Sequence, residues 1–215
     1  MTRVIYDMDK TITLSPTYTR WLVYWALREA PWRLGLLPLA GIAGLGFRRG
    51  LLSRARLKEV AQRLLMGNAA PRDRVDFHAA GFAATVVARG LMPGALAQLA
   101  ADRAAGHDIV FATASYAFYA RAIAAALGVD RIVATGSVWE GDRLRARIAG
   151  ENCYDAAKAA MVAAAFPGER FVRAYSDHVS DAALFALADE PVAVSPSAAL
   201  RRLAAARGWR VVDWR

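Results

Sequence analysis

The stretch "VIYDMDKTIT", residues 4–13, ends an apolar run on two carboxylates two positions apart, almost at the N-terminus. On a continuous strand Asp7 and Asp9 would face opposite sides, but where a strand ends and the chain turns, both reach one small volume. Two carboxylates in one pocket repel unless a cation neutralises one or a proton sits on the other. The pair therefore points to a divalent metal, to a nucleophile and acid couple, or to both.

Further short apolar runs read as buried strands: "DIVFATAS" (108–115), "RIVATG" (131–136), "RFVRAYSD" (170–177), "PVAVS" (191–195) and "WRVVDW" (209–214). Ala- and Leu-rich helical segments lie between most of them, at 94–105, 116–127, 153–165 and 197–207, stopped or preceded by Gly106, Gly128, Pro167 and Pro196. Strand and helix in alternation imply an α/β fold with a doubly wound, mostly parallel sheet, because parallel neighbours need a crossover. Ligands of such sheets sit at the carboxyl ends of the strands. Asp7, Thr113 and Asp177 each fall at that end, so residues far apart in sequence meet at one rim.

Two segments break the alternation. "TGSVWEGDRLRARIAG" (135–150) alternates around Glu140, Gly141 and Asp142 and reads as a β-hairpin flap. The other is a block read as entirely helical, 15–90, a lid inserted after the first strand, which leaves 1–14 and 91–215 as the core. Within it Ser15 is expected as an N-cap with Pro16 at the first helical position, and a second helix runs from a Ser53 cap to Gly67.

With 215 residues, 56% of them hydrophobic, the chain can bury one sizeable core plus a small insertion, which excludes a disordered or fibrous protein. A single cysteine, Cys153, rules out an internal disulfide framework, and "MTR" leads into a strand without a secretory apolar stretch, so a cytoplasmic protein is expected. The formal net charge of +9 calls for an anionic partner. Nucleic acid is not expected as that partner, since no recognition helix, zinc spacing or aromatic RNA-binding signature accompanies the basic residues. Cys153 is placed at a helix start with a packing role, and His78 and His107 at surface or boundary positions, without ligand roles.

The helpers that phosphoryl chemistry requires are all present. Asp7 could attack phosphorus while Asp9 protonates the leaving oxygen. A hard cation such as Mg²⁺ and a lysine would relieve the repulsion between a carboxylate and a phosphate dianion. Thr113 offers a hydroxyl, Lys158 a charge, and Asp177 and Asp181 further acids. Four motifs, "DMDKT" (7–11), "FATAS" (111–115), "GENCYDAAK" (150–158) and "YSDHVSD" (175–181), resemble in order those of the haloacid dehalogenase superfamily of phosphatases. That resemblance implies an aspartyl-phosphate on Asp7 and an acid then base at Asp9. It implies Mg²⁺ held by Asp7, the carbonyl of Asp9 and Asp177, with Asp181 supporting the metal shell. Thr113, Ala114, Ser115 and Lys158 would hold the phosphoryl oxygens. The lid and the "NCYDAAK" run resemble the phosphoserine-phosphatase-like branch. Pro16 stands where that branch places a glutamate for the substrate's amino group, which argues against an amino-acid phosphate, and Ser180 stands where it has asparagine.

The lid carries an apolar run from Leu34 to Phe47 between Arg33 and the pair Arg48 and Arg49. As a helix, its about 14 residues would span roughly 21 Å, short of the roughly 30 Å hydrocarbon core, so it should not cross a bilayer. It could dip into one leaflet, with Trp21, Trp25 and Trp32 as interfacial aromatics and Arg48 and Arg49 on anionic lipid. The combination resembles the lid of bacterial phosphatidylglycerophosphatases of the C type. Hydrolysis of a lipid phosphate such as phosphatidylglycerol phosphate, at the cytoplasmic face of a membrane, is the leading expectation. Hydrolysis of a small soluble phosphomonoester is the alternative, and a non-catalytic phosphoacceptor or lipid-binding module the third.

Overall fold

The computed structural model describes residues 2–215. Eight strands form one sheet in the order β2-β5-β4-β3-β1-β6-β7-β8. Its parallel part comprises β1 (Arg3–Asp7), β3 (Asp108–Tyr116), β4 (Arg131–Glu140), β6 (Phe171–Ser176), β7 (Ala188–Val194) and β8 (Arg210–Val212). The two sides of β1 follow from its period of two: Val4 and Tyr6 enter one core, Ile5 the other. Helices α5 (Pro93–Ala104) and α6 (Ala117–Ala126) cover the first face through Leu99, Ala120 and Ile123. The opposite face is covered by α7 (Ala156–Ala165), α8 (Ala182–Phe185) and α9 (Ala198–Arg207), through Val162, Leu184 and Leu200. A sheet buried on both faces has no alternation of polar residues along its central strands, which is why they read as continuous apolar runs.

The hairpin is a continuation of the core. Strand β4 runs parallel to β3 as far as Thr135, then pairs antiparallel with β5 (Arg143–Ala149) from Gly136 onward. The expectation that residues 15–90 are entirely helical is corrected: β2 (Ala70–Pro71) adds an antiparallel edge to β5, so the insertion is stitched to the flap. Its helices are α1 (Thr17–Glu29), α2 (Leu37–Arg48), α3 (Arg54–Leu65) and α4 (Arg72–Arg89), with a 3-10 segment at Pro31–Leu36. Ser53 caps α3 by accepting from the Arg56 amide.

Three local expectations are corrected. Helix α1 starts at Thr17 with Pro16 in the cap position and Ser15 outside it, because the turn after β1 brings Asp9 Oδ1 to the Thr17 amide at 2.7 Å. Cys153 does not open a helix. It is buried in a loop, because Asp155 adopts φ +56° and helical geometry begins only after it. His78 is buried rather than superficial: its Nε2 meets Glu29, which also takes Arg74, so the end of α1 is fastened to α4.

The tryptophans divide in a way the sequence did not reveal. Trp21 and Trp25 are buried and have no surface to offer a membrane. Trp21 stacks on Tyr119 of α6 at 5.2 Å and meets Phe82 of α4 edge-on at 5.5 Å, so the aromatic face of α1 docks the lid on the core. Trp32 is 68% exposed. Trp21→Ala is expected to lower stability by about 3–5 kcal/mol, and Trp32→Ala by under about 0.5 kcal/mol, as read by urea unfolding.

Candidate active site

Beyond Asp7 the chain leaves the sheet in a tight turn. The Ile12 and Thr13 amides both donate to the Met8 carbonyl, and Lys10 takes φ +63°. This turn lets Asp7 and Asp9 line the same cleft instead of opposite faces. The cleft, about 700 Å³, lies at the carboxyl end of the sheet, and Asp7, Asp9, Ala114, Ser115, Lys158, Asp177 and Asp181 all line it. Thr113 is fully buried just beneath, its Oγ1 accepting from the Ser115 amide at 3.0 Å.

Lys158 joins the motifs. Its ammonium, 3% exposed, donates to Asp7 Oδ1 at 2.7 Å and to Asp181 Oδ2 at 2.9 Å. Ser176 donates to the same Asp181 oxygen at 2.6 Å, and Thr11 to Asp7 Oδ2 at 3.2 Å. Burial alone would discharge the lysine, but Asp7 and Asp181 overcome it and hold its pKa above the ordinary range. Asp7 is pushed up by burial and by the charges of Asp181 and Asp177, against the pull of Lys158. Burial likewise lifts Asp177 to about 6.

These strained acids bear on a cation. Among the described residues no three His, Cys, Asp or Glu side chains cluster as a metal cage. Mg²⁺ needs none: it takes oxygen donors, keeps several waters, and is held by one or two carboxylates plus substrate phosphate. Asp7 and Asp177, two acids whose charged forms are disfavoured by burial and by neighbouring carboxylates, fit that role.

Asp9 faces the lid. Its Oδ1 accepts from the amide and hydroxyl of Thr17, and its Oδ2 from Ser115 Oγ at 2.7 Å, with Tyr119 donating to that serine. Asp9 thus holds the first amide of the first lid helix from outside that helix.

Lys58 was not singled out by sequence reasoning. It projects from α3 into the core, 8% exposed, and burial draws its pKa down to about 7, opposed by Cys153 and Asp9. Of 28 Lys and Arg residues only Lys10, Lys58 and Lys158 are Lys, and all three line this cleft. That bias was the available signal, since a compact ammonium fits converging acceptors where a planar guanidinium does not.

The cleft continues into the lid. Leu37, Ala40, Gly41, Gly44 and Phe47, one side of α2, line it, while Leu39, Ile42 and Leu45 on the other side are exposed. Helix α2 contains no buried residue. Arg48 and Arg49 are exposed at its C-terminal end.

The chain belongs to the haloacid dehalogenase-like hydrolase family, which it matches over residues 4–186. It is 37% identical over 114 residues to an "Inhibition of morphological differentiation protein" of Streptomyces azureus, covering 51% of this chain and 41% of that one. It is 29% identical over 191 residues to "Protein CicA" of Caulobacter vibrioides, covering 87% and 83%. Among solved structures, a Bordetella pertussis Tohama I protein of unknown function superposes with a TM-score of 0.87 at 25% identity, all of both chains being covered. A phosphoserine phosphatase solved as a phospho-aspartyl intermediate analogue shares the fold, with a TM-score of 0.65 at 15% identity over 100% of this chain and 95% of that one.

Lys158→Met would leave Asp7 and Asp181 buried and facing each other without a cation. A loss of about 3–5 kcal/mol is expected in unfolding without metal, whereas Lys10→Met, at an exposed position, should stay within about 0.5 kcal/mol.

Proposed function

We propose that the chain is a magnesium-dependent phosphomonoesterase acting on a lipid phosphate, with phosphatidylglycerol phosphate the best single candidate. One observation carries this reading: a single cleft runs from the Asp7–Lys158 pair to the apolar inner side of α2. Asp7, the Asp9 carbonyl and Asp177 would hold Mg²⁺, which when bound supplies the charge that lets a phosphate dianion approach a carboxylate.

The chain's own groups then have defined tasks. A carboxylate oxygen of Asp7 bonds to phosphorus as the bond to the ester oxygen breaks, and Asp9 gives its proton to that departing oxygen. Lys158 and the hydroxyl of Thr113 hold the phosphoryl oxygens. Water then attacks the phosphorus on Asp7 and gives a proton to Asp9, which releases inorganic phosphate and restores both acids.

The outer side of α2 supports placement against an anionic bilayer. Leu39, Ile42 and Leu45 stand bare, with Trp32 beside them in sequence. No acidic residue occurs between Glu29 and Glu59, while Arg33, Arg48, Arg49, Arg54 and Arg56 do. No described helix is long and apolar enough to cross a membrane, so this contact is with one leaflet. The tryptophan contact moves to Trp32 alone.

A substrate panel with phosphate release as readout tests the reading. Phosphatidylglycerol phosphate in mixed micelles should exceed phosphoserine and glycerol phosphate in kcat/KM by about a hundredfold or more, and EDTA should abolish turnover until Mg²⁺ is restored. Preference for a soluble ester, independent of detergent, would overturn the lipid assignment. Ile42→Glu with Leu45→Glu should abolish sedimentation with anionic vesicles while sparing hydrolysis of p-nitrophenyl phosphate; unchanged sedimentation would remove the bilayer contact.

A further inference from the structure

Strand β3 is irregular at its carboxyl end. Its register against β4 shifts between Thr113 and Tyr116, so Ala114 and Ser115 have no partner on β4. A bulge of this kind strands a backbone carbonyl that must find another donor. The Ala114 carbonyl finds two: the Lys58 ammonium at 2.7 Å and the Thr135 hydroxyl at 2.8 Å. Lys58 also donates to Asn152 Oδ1 at 2.7 Å and Thr135 Oγ1 at 3.3 Å, and lies 4.2 Å from the Tyr116 ring centroid. Its contacts thus come from three core segments, while its own backbone belongs to the lid. No carboxylate lies within ion-pair distance of it among the described residues, so these neutral acceptors are what compensate the buried charge.

The orientation of that carbonyl has a consequence within one peptide unit. The Ala114 carbonyl and the Ser115 N–H share a trans plane and point in opposite directions. Holding the carbonyl toward Lys58 aims the Ser115 N–H at Thr113 Oγ1, 3.0 Å away. With that lone pair engaged, the Thr113 hydroxyl proton is left for another acceptor. The same residue, through Ser115 Oγ, fixes Asp9 Oδ2 at 2.7 Å.

We infer that Lys58 is a positioning residue: it carries the seating of the lid to the Ala114–Ser115 peptide and so aligns Thr113 and Asp9 for phosphoryl transfer. This rests on the phosphatase reading but not on the lipid assignment. It also gives the lid a task in turnover separate from substrate selection, since even a substrate too small to touch α2 needs the peptide aligned.

The test uses the full chain, Lys58→Met and Thr135→Val, with p-nitrophenyl phosphate as substrate. Thr135→Val removes the second donor to the same carbonyl from the core side, together with the longest of the Lys58 ammonium's hydrogen bonds, and leaves the Lys58 bond to that carbonyl in place. Lys58→Met is expected to lower kcat about 10- to 100-fold with KM changed far less, and Thr135→Val to do the same to a smaller extent. Both should accelerate hydrogen exchange of the Ser115 amide while leaving the β1 amides protected, a pattern that general destabilisation would not produce. Wild-type kcat together with wild-type Ser115 protection in a folded variant would overturn the inference, as would a loss that follows only the folded fraction. If Lys58→Met does not fold, Thr135→Val decides by the same two readings. An inactive wild-type chain would instead sink the phosphatase reading, and Ser115 exchange would still decide whether Lys58 holds the peptide.

Discussion

The Lys158 ammonium, buried between Asp7 and Asp181, is the interaction on which the site depends. It joins the tip of β1 to the helix after the flap and to the turn after β6, three segments that the chain order separates widely. Buried charge of either sign is tolerable only with its partner in place. The constellation is therefore assembled wholly or not at all, and the sheet must keep β1 between β3 and β6 to allow it.

A second constraint ties the lid to the chemistry. Asp9 accepts the first amide of α1, Lys58 reaches from α3 to the bulge of β3, and Trp21 stacks on α6. The lid is thus fastened at polar points beside Asp9 and the β3 bulge and by a set of aromatic contacts to α6 behind them. Helix α2 is held by none of these and presents apolar residues both to the cleft and to the exterior. That division suits the proposed lipid substrate, with some helices aligning the site and one left to meet a hydrocarbon chain.

Much of this was legible in the sequence. The doubly wound sheet followed from apolar runs separated by helical periods, and the motif residues fall around one cleft because strand ends gather there. The hairpin was readable from its turn. What escaped detection depended on tertiary contacts. Trp21 docks on α6, almost a hundred residues away, and Trp25 meets His78 of α4, so composition alone could not tell a docking face from a membrane face. Ser15 looked like a cap until the turn after β1 brought Asp9 to Thr17. The position of Cys153 turned on Asp155 adopting a positive φ, a conformation open to aspartate but not fixed by the sequence around it. Lys58 has no motif around it, and only the scarcity of lysine in an arginine-rich chain marks it.

The central claim is that a carboxylate at the end of the first strand carries the phosphoryl group. Borohydride reduction during steady-state turnover with Mg²⁺ and substrate, followed by peptide mass spectrometry, tests it directly, because an acyl phosphate is reduced to an alcohol. The account predicts conversion of Asp7 to homoserine, dependent on substrate and absent from Asp9, Asp177 and Asp181. Continued phosphate release with Asp7 unmodified, or reduction at another carboxylate, would contradict it.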